Sequence, residues 1–107
     1  MASLHLVAYF FGGLFLTNAV PHLGAALSGR PFQSPFAKPP GEGLSTSRVN
    51  ALWGFANLVV GYLLLWQVGS FNLHDLGHAG ALGLAILLGG LFLARAFGRF
   101  NGGDHPV

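Results

Sequence analysis

The sequence lacks cysteine altogether and has very little charge, with five Lys or Arg and three Asp or Glu among 107 residues. Without cysteine the chain can form no disulfide, no thiolate metal site and no cysteine nucleophile. With so few charged side chains, a soluble helical bundle would have almost no solvated face and would aggregate. The missing charge therefore argues against a soluble globular protein.

Long apolar runs take the place of the missing charge. Hydrophobic residues make up 52% of the chain, and seventeen residues are Gly. The runs are Leu4 to Leu27, Val49 to Val68 and Leu76 to Ala94. Each has about 20 residues, enough at about 1.5 Å per residue to cross a hydrocarbon core about 30 Å thick. The sequence predicts an all-α integral membrane protein, one domain with transmembrane helices at about 4–27, 48–68 and 75–97.

The first apolar run has an alternative interpretation as a signal peptide. No Lys or Arg precedes Arg30, and the run is longer than the roughly 7–15 apolar residues of a signal core. Both features favour a transmembrane helix. The small residues of Gly24–Gly29 resemble a cleavage site and keep the alternative open.

The basic residues predict the orientation of the helices. They lie either between the first two runs or at the end of the third: Arg30, Lys38, Arg48, Arg95 and Arg99. Basic residues accumulate on the cytoplasmic side, so we expect the N-terminus outside and the loop at 28–47 and the short tail inside. The isoelectric point of about 9.7 rests on these residues, and it indicates contact with anionic lipid headgroups rather than with nucleic acid.

Four polar side chains interrupt the first two predicted helices: Asn18, His22, Asn50 and Asn57. The topology places Asn18 and Asn57 at about the same depth near the bilayer centre. His22 lies one turn beyond Asn18, and Asn50 shares a helix face with Asn57, so the two faces are expected to meet. We call these four residues the polar seam. They form either interhelical hydrogen bonds or a polar ligand site or pathway open to the cytoplasm.

Prolines shape the segment that follows the seam. Pro21 removes a backbone donor inside helix 1 and predicts a kink. The next loop cannot be helical throughout because it contains Pro31-Phe32, Pro35-Phe36 and Pro39-Pro40. We expect it to follow the membrane surface or to cover the mouth of the seam, with an N-cap for helix 2 within Ser45–Ser47. Its glycines match no phosphate-binding pattern.

Three histidines are predicted at the opposite membrane face: His5, His74 and His78. Two His one turn apart with a third nearby form an acceptable first shell for zinc, copper or another divalent metal, with Asp75 as a further ligand. Histidines that cap and solvate a helix end are the commoner arrangement. Metal or haem binding is therefore the alternative interpretation, and the sequence identifies no cofactor.

Small residues on helix 3 predict close helix packing. They form a ribbon with a spacing of four residues: Gly77, Ala81, Ala85 and Gly89. Three short helices bury few faces within one chain, so we expect part of this surface to be intermolecular and the protein to be a homo-oligomer.

Three strings carry a resemblance to known proteins: "NAVPH", "GRPFQSPFAKPPGEGLS" and "NALWGFAN", in this order. Together they resemble a family of small uncharacterised bacterial inner-membrane proteins. The resemblance covers roughly residues 18 to 57 and implies a location in the bacterial inner membrane. It implies no catalytic or binding role for any residue.

Three functions are compatible with these features. The first is a small oligomeric channel or transporter that uses the polar seam. The second is an accessory or assembly subunit of a larger membrane complex. The third is a metal- or haem-dependent membrane enzyme, which is disfavoured because Glu42 and two Asp are the only carboxylate side chains and acid–base chemistry would rest on His.

The orientation can be tested because the chain has no native cysteine. Ala37→Cys lies in the first loop and Ser70→Cys in the connector between helices 2 and 3. A membrane-impermeant maleimide should label Ser70→Cys in intact bacterial cells and Ala37→Cys only after lysis. Labelling of Ala37→Cys in intact cells would contradict the predicted orientation.

Overall fold

The computed structural model describes residues 2–103, and three long helices make up most of it. They are α1 (Ala2–Leu27), α2 (Ser47–Tyr62) and α3 (Leu76–Asn101). All are long and apolar enough to cross a membrane when α2 is taken with the helical segment that continues it. The predicted class, an α-helical membrane protein with three candidate spans, is therefore confirmed. The end of the predicted tail, residues 104–107, lies outside the described residues.

A π-helical segment, Leu63–Val68, continues α2 to the next connector. The connector that follows this segment contacts Tyr9 of α1. The Tyr9 hydroxyl accepts a hydrogen bond from the Ser70 backbone N–H at 2.9 Å. The Tyr9 ring occupies the space that a side chain at Gly69 would need. Tyr9 is completely buried, so it fixes the connector end of the bundle by packing.

Both ends of α3 have identifiable caps. Asp75 is the N-cap, and its Oδ1 accepts from the His78 backbone N–H at 3.1 Å. The helix continues to Asn101 rather than ending near residue 97. Asn101 donates from Nδ2 to the Phe97 carbonyl at 2.9 Å, and Gly102 then turns the chain with φ of 80°, a conformation that glycine adopts without strain.

A two-stranded hairpin lies in the loop between α1 and α2. β1 (Phe32–Gln33) pairs antiparallel with β2 (Leu44–Ser45). The Ser34 and Ser45 hydroxyls are 2.6 Å apart, and Thr46 caps α2 as expected by accepting from the Val49 backbone N–H. The sequence does not predict these strands, because two residues are too few to show an alternating pattern.

Helix α1 is the central helix of the bundle. It packs against both α2 and α3, which make little contact with each other. The face of α2 toward α1 carries its buried residues, Asn50, Gly54, Asn57 and Gly61. These are the four residues that the sequence places on one face. Pro21 lies inside α1, which continues beyond it to Leu27.

The small-residue ribbon of α3 packs against α1 within the chain. Ala85 is completely buried, and a Cβ on Gly13 would lie 2.7 Å from the Ala85 Cβ. A Cβ on Gly89 would contact Leu14 at 3.0 Å. Ala85 and Gly89 of the ribbon thus contribute to the α1–α3 contact within the chain. That another part of the small-residue surface packs between chains stays a prediction. The glycines Gly80 and Gly83, beside the ribbon, have open space around them.

Two glycines form a matched test of this packing. A Cβ on Gly61 would lie 2.6 Å from the Leu16 side chain and 3.0 Å from the Gly12 carbonyl, whereas one on Gly83 would contact nothing. Gly61→Ala should lower the free energy of unfolding by about 1–3 kcal/mol because the α1–α2 interface must separate. Gly83→Ala should be neutral or slightly stabilising.

Unfolding by SDS titration in mixed micelles, followed by circular dichroism, measures both effects. Equal destabilisation by the two substitutions would contradict the close approach of α1 and α2.

Candidate functional site

The polar seam consists of two hydrogen-bonded pairs between α1 and α2. Asn18 donates from Nδ2 to Asn57 Oδ1 at 3.1 Å. His22 Nδ1 lies 2.6 Å from Asn50 Oδ1. The structure therefore brings together the four residues that the sequence groups, and three of them are at most 2% exposed: His22, Asn50 and Asn57.

Asn50 connects the seam to the loop. Its Nδ2 lies within hydrogen-bond distance of three backbone carbonyls, those of Phe32 and Ser45 at 3.2 Å and that of Thr46 at 3.1 Å. The reverse amide orientation would point Oδ1 at three acceptors, so Oδ1 must face His22. His22 therefore donates from Nδ1, and one amide joins α1, α2 and both strands.

The hydrogen bond to Asn50 also fixes the free edge of His22. With the proton on Nδ1, a neutral imidazole carries its lone pair on Nε2. Within residues 2–103, the hydrogen bond that the structure shows for the His22 ring is the one at Nδ1. His22 can thus accept one further hydrogen bond without disturbing its contact with Asn50.

Aromatic rings surround His22 edge-on. Phe32 from β1 lies 5.5 Å from the imidazole centroid, Phe97 from α3 at 5.7 Å and Trp53 from α2 at 6.4 Å. Phe36 in turn packs edge-on against Trp53 at 5.1 Å. The two Pro-Phe pairs of the loop therefore cover the end of the seam. Two positions were expected for this loop, along the membrane surface or over the mouth of the seam, and these contacts correspond to the latter.

Trp53 is a functional candidate that only the structure identifies. The indole Nε1 of Trp53 is buried, and it has no hydrogen-bond partner in the part of the chain that the structure describes. A buried indole N–H normally has a partner. The available signal is its spacing, since Trp53 lies three residues after Asn50 and four before Asn57 on the same helix face.

The other half of the seam borders an open cleft. Asn57 donates from Nδ2 to the Trp53 carbonyl at 2.8 Å while it accepts from Asn18. Beside this pair lies a cleft of about 300 Å³, lined by Phe11, Leu14, Phe15, Asn18, Trp53 and Asn57. The asparagines contribute the polar groups of an otherwise aromatic and aliphatic surface.

A larger groove of about 570 Å³ lies between α1 and α3, and it is almost entirely apolar. Leu16 and Val20 line it from α1, and Leu93 and Phe97 from α3. Because the seam side chains bond to one another and the large groove is apolar, the arrangement in one chain is that of a closed polar contact between helices.

The three histidines at the connector end do not converge. His78 Nδ1 accepts from the Asn72 backbone N–H at 3.1 Å, and its ring packs on Tyr9 at 4.4 Å. The His5 ring centroid lies 6.3 Å from that of Tyr9, and His74 is exposed. Over residues 2–103, no three His, Cys, Asp or Glu side chains come close enough to hold a metal ion. His5 and His78 pack against Tyr9 at this end of the bundle, and Asp75 serves as a helix cap.

Comparison of the chain with protein-family models, curated proteins and solved structures returned no significant match. The interpretation of the seam therefore rests on the chain's own residues.

The two pairs of the seam should differ in their effect on stability. Asn50→Leu leaves the His22 Nδ1–H and the Phe32 and Ser45 carbonyls without their partner, which should cost about 2–5 kcal/mol. Asn57→Leu removes one interhelical hydrogen bond, which should cost about 0.6–2 kcal/mol.

SDS titration of both variants in the same micelles, followed by tryptophan fluorescence, gives the comparison. A larger loss for Asn57→Leu would contradict the central role of Asn50.

Proposed function

We propose that the protein is a non-catalytic subunit of a membrane assembly in which the uncovered face of α3 contacts a neighbouring transmembrane helix. The neighbour is a second copy of the chain or a helix of a larger membrane complex. The proposed location is the bacterial inner membrane, with the loop and the tail in the cytoplasm. The basic residues and the family resemblance support this location and orientation.

The open glycines of α3 are the observation that carries the proposal. Glycine in a helix interior costs about 0.5–1 kcal/mol relative to alanine, so it needs a reason. Gly12, Gly13, Gly54 and Gly61 have such a reason, because a Cβ on each would press against a neighbouring helix of the same chain. Gly80 and Gly83 meet nothing within 4 Å. Small residues at a transmembrane helix surface allow another helix to approach closely.

The closed seam supports a packing role rather than a pathway through one chain. His22 and Asn50 bond to each other, and Asn18 bonds to Asn57. The aromatic residues of the loop cover one end of the seam. A conducting pathway through a single chain would have to break these hydrogen bonds. The hydrocarbon core of a bilayer provides no donors or acceptors to replace them.

Transport by an oligomer is the second candidate, and the cleft beside Asn18 and Asn57 favours it. This cleft of about 300 Å³ opens to the outside of the chain, where a neighbouring copy would enclose it. In that case the asparagine pair would line a space between chains. Flux through proteoliposomes that is lost in Asn18→Leu, with assembly unchanged, would favour transport over a purely structural role.

A bulky residue on the open face of α3 tests the proposed assembly. Gly83→Phe should abolish the association, because the space that the partner helix needs is filled. Gly24→Phe is the matched control, since Gly24 also has nothing within 4 Å of its Cβ but lies in the last turn of α1, outside the α3 face to which the proposal assigns the contact. Native mass spectrometry after extraction with membrane lipids measures the stoichiometry of each variant.

The expected result is a fixed oligomer or stoichiometric complex for the wild type and Gly24→Phe, and a monomer for Gly83→Phe. A monomeric wild type in mild detergent and in native lipid, or an unchanged Gly83→Phe assembly, would contradict the proposal.

A further inference from the structure

We propose that an anionic phospholipid of the cytoplasmic leaflet binds at the end of α3, with its phosphate at Arg95 and Arg99 beneath the loop residues Pro40–Glu42. We call this arrangement the headgroup cradle. It lies on a different part of α3 from the open glycines and does not depend on assembly.

Two adjoining cavities form the headgroup cradle. The first, of about 230 Å³, is lined by Phe92, Arg95, Ala96 and Arg99. The second, of about 420 Å³, shares Phe92, Ala96 and Arg99 with the first and continues under the loop. Arg95 and Arg99 are one turn apart, so both guanidinium groups can contact a single phosphate.

The loop wall of the cradle is tied to the helices. Asn101 at the end of α3 donates from Nδ2 to Gln33 Oε1 at 2.9 Å, and the Phe32 and Phe97 rings are 4.7 Å apart. Within the loop, the Gly41 backbone N–H donates to the Ser34 carbonyl at 2.8 Å. The cradle is therefore a fixed space between the loop and α3.

The charge of the cradle suits an anion. Among residues 2–103, no carboxylate lies within 4.0 Å of either arginine, and Arg99 stacks over the Phe100 ring at 5.0 Å. Glu42 adds one negative charge on the loop side, which leaves the two arginines in excess. A glycerol headgroup has hydroxyls that can donate to Glu42 while its phosphate meets the arginines. Phosphatidylglycerol has this chemistry.

A path for an acyl chain leads from the cradle toward the membrane centre. Phe92 and Leu88 are exposed and follow Arg95 along the same side of α3, toward its N-terminal end, at spacings of three and four residues. From Leu76 to Arg95 the helix rises about 28 Å, close to the thickness of the hydrocarbon core. Arg95 therefore lies at headgroup depth when Leu76 lies at the opposite boundary.

Native mass spectrometry of the delipidated protein, titrated with phosphatidylglycerol or phosphatidylcholine of the same acyl composition, tests the proposal. A 1:1 complex with phosphatidylglycerol should persist, and the double variant Arg95→Gln/Arg99→Gln should weaken it roughly 30-fold. Arg48→Gln is the matched control, because Arg48 is an exposed basic residue at the same end of the bundle and lines neither cavity. It should change binding less than about twofold.

Glu42→Gln provides an independent variant that leaves both arginines in place. It should tighten the binding of phosphatidylglycerol several-fold, since glutamine keeps an oxygen that can accept from the glycerol hydroxyls while the negative charge near the phosphate is removed. Far-UV circular dichroism checks that every variant keeps its helices. Gly83→Phe should still bind the lipid, which separates this result from failure of the proposed assembly.

Three results would overturn the proposal. They are equal binding of phosphatidylglycerol and phosphatidylcholine, an equal loss in Arg48→Gln and the double variant, and a preference for phosphatidylethanolamine that Glu42→Gln removes. Competition by millimolar inorganic phosphate would indicate a site for free phosphate instead of a lipid.

Discussion

The side-chain amide of Asn50 is the interaction on which the rest of the structure depends. It bonds to His22 of α1 and to carbonyls on both strands of the loop, and it is completely buried. Because Asn50 is completely buried, water does not reach it to replace those bonds, and the hydrocarbon core of a bilayer provides none either. The position of the loop, the orientation of the His22 ring and the contact between α1 and α2 therefore depend on one another.

Closure at Asn50 also decides which surfaces remain for function. The polar groups of α1 and α2 turn inward and bond to one another, while most of α3 beyond its contact with α1 stays uncovered. Along the helices, the surface that the chain offers to its surroundings is largely apolar, and exposed polar residues gather in the loop, in the connector before α3 and at the arginines near the end of α3. Such a surface suits contacts with lipid and with other transmembrane helices, and both proposals rest on it.

The seam could be predicted from the sequence because helix geometry fixes depth and direction. Once two spans are antiparallel, a rise of about 1.5 Å per residue places Asn18 opposite Asn57, and the helical period places His22 on the same face. The loop could not be predicted in this way. Its strands have two residues each, and they are held by long-range contacts such as Asn101 with Gln33. The periodicity of a short stretch of sequence does not predict contacts between residues so far apart in the chain.

The sequence by itself determined the class of the protein, the number of candidate spans and the pairing of Asn18 with Asn57. Composition and the helical period are properties of individual stretches of the chain, so they can be read without the tertiary structure. Only the tertiary structure decided that Ala85 packs on Gly13 inside the chain, that His5, His74 and His78 form no metal-binding group among the described residues, and that the loop covers His22. These outcomes depend on how three helices rotate against one another. That rotation is set by the sum of many packing contacts, which no single stretch of sequence contains.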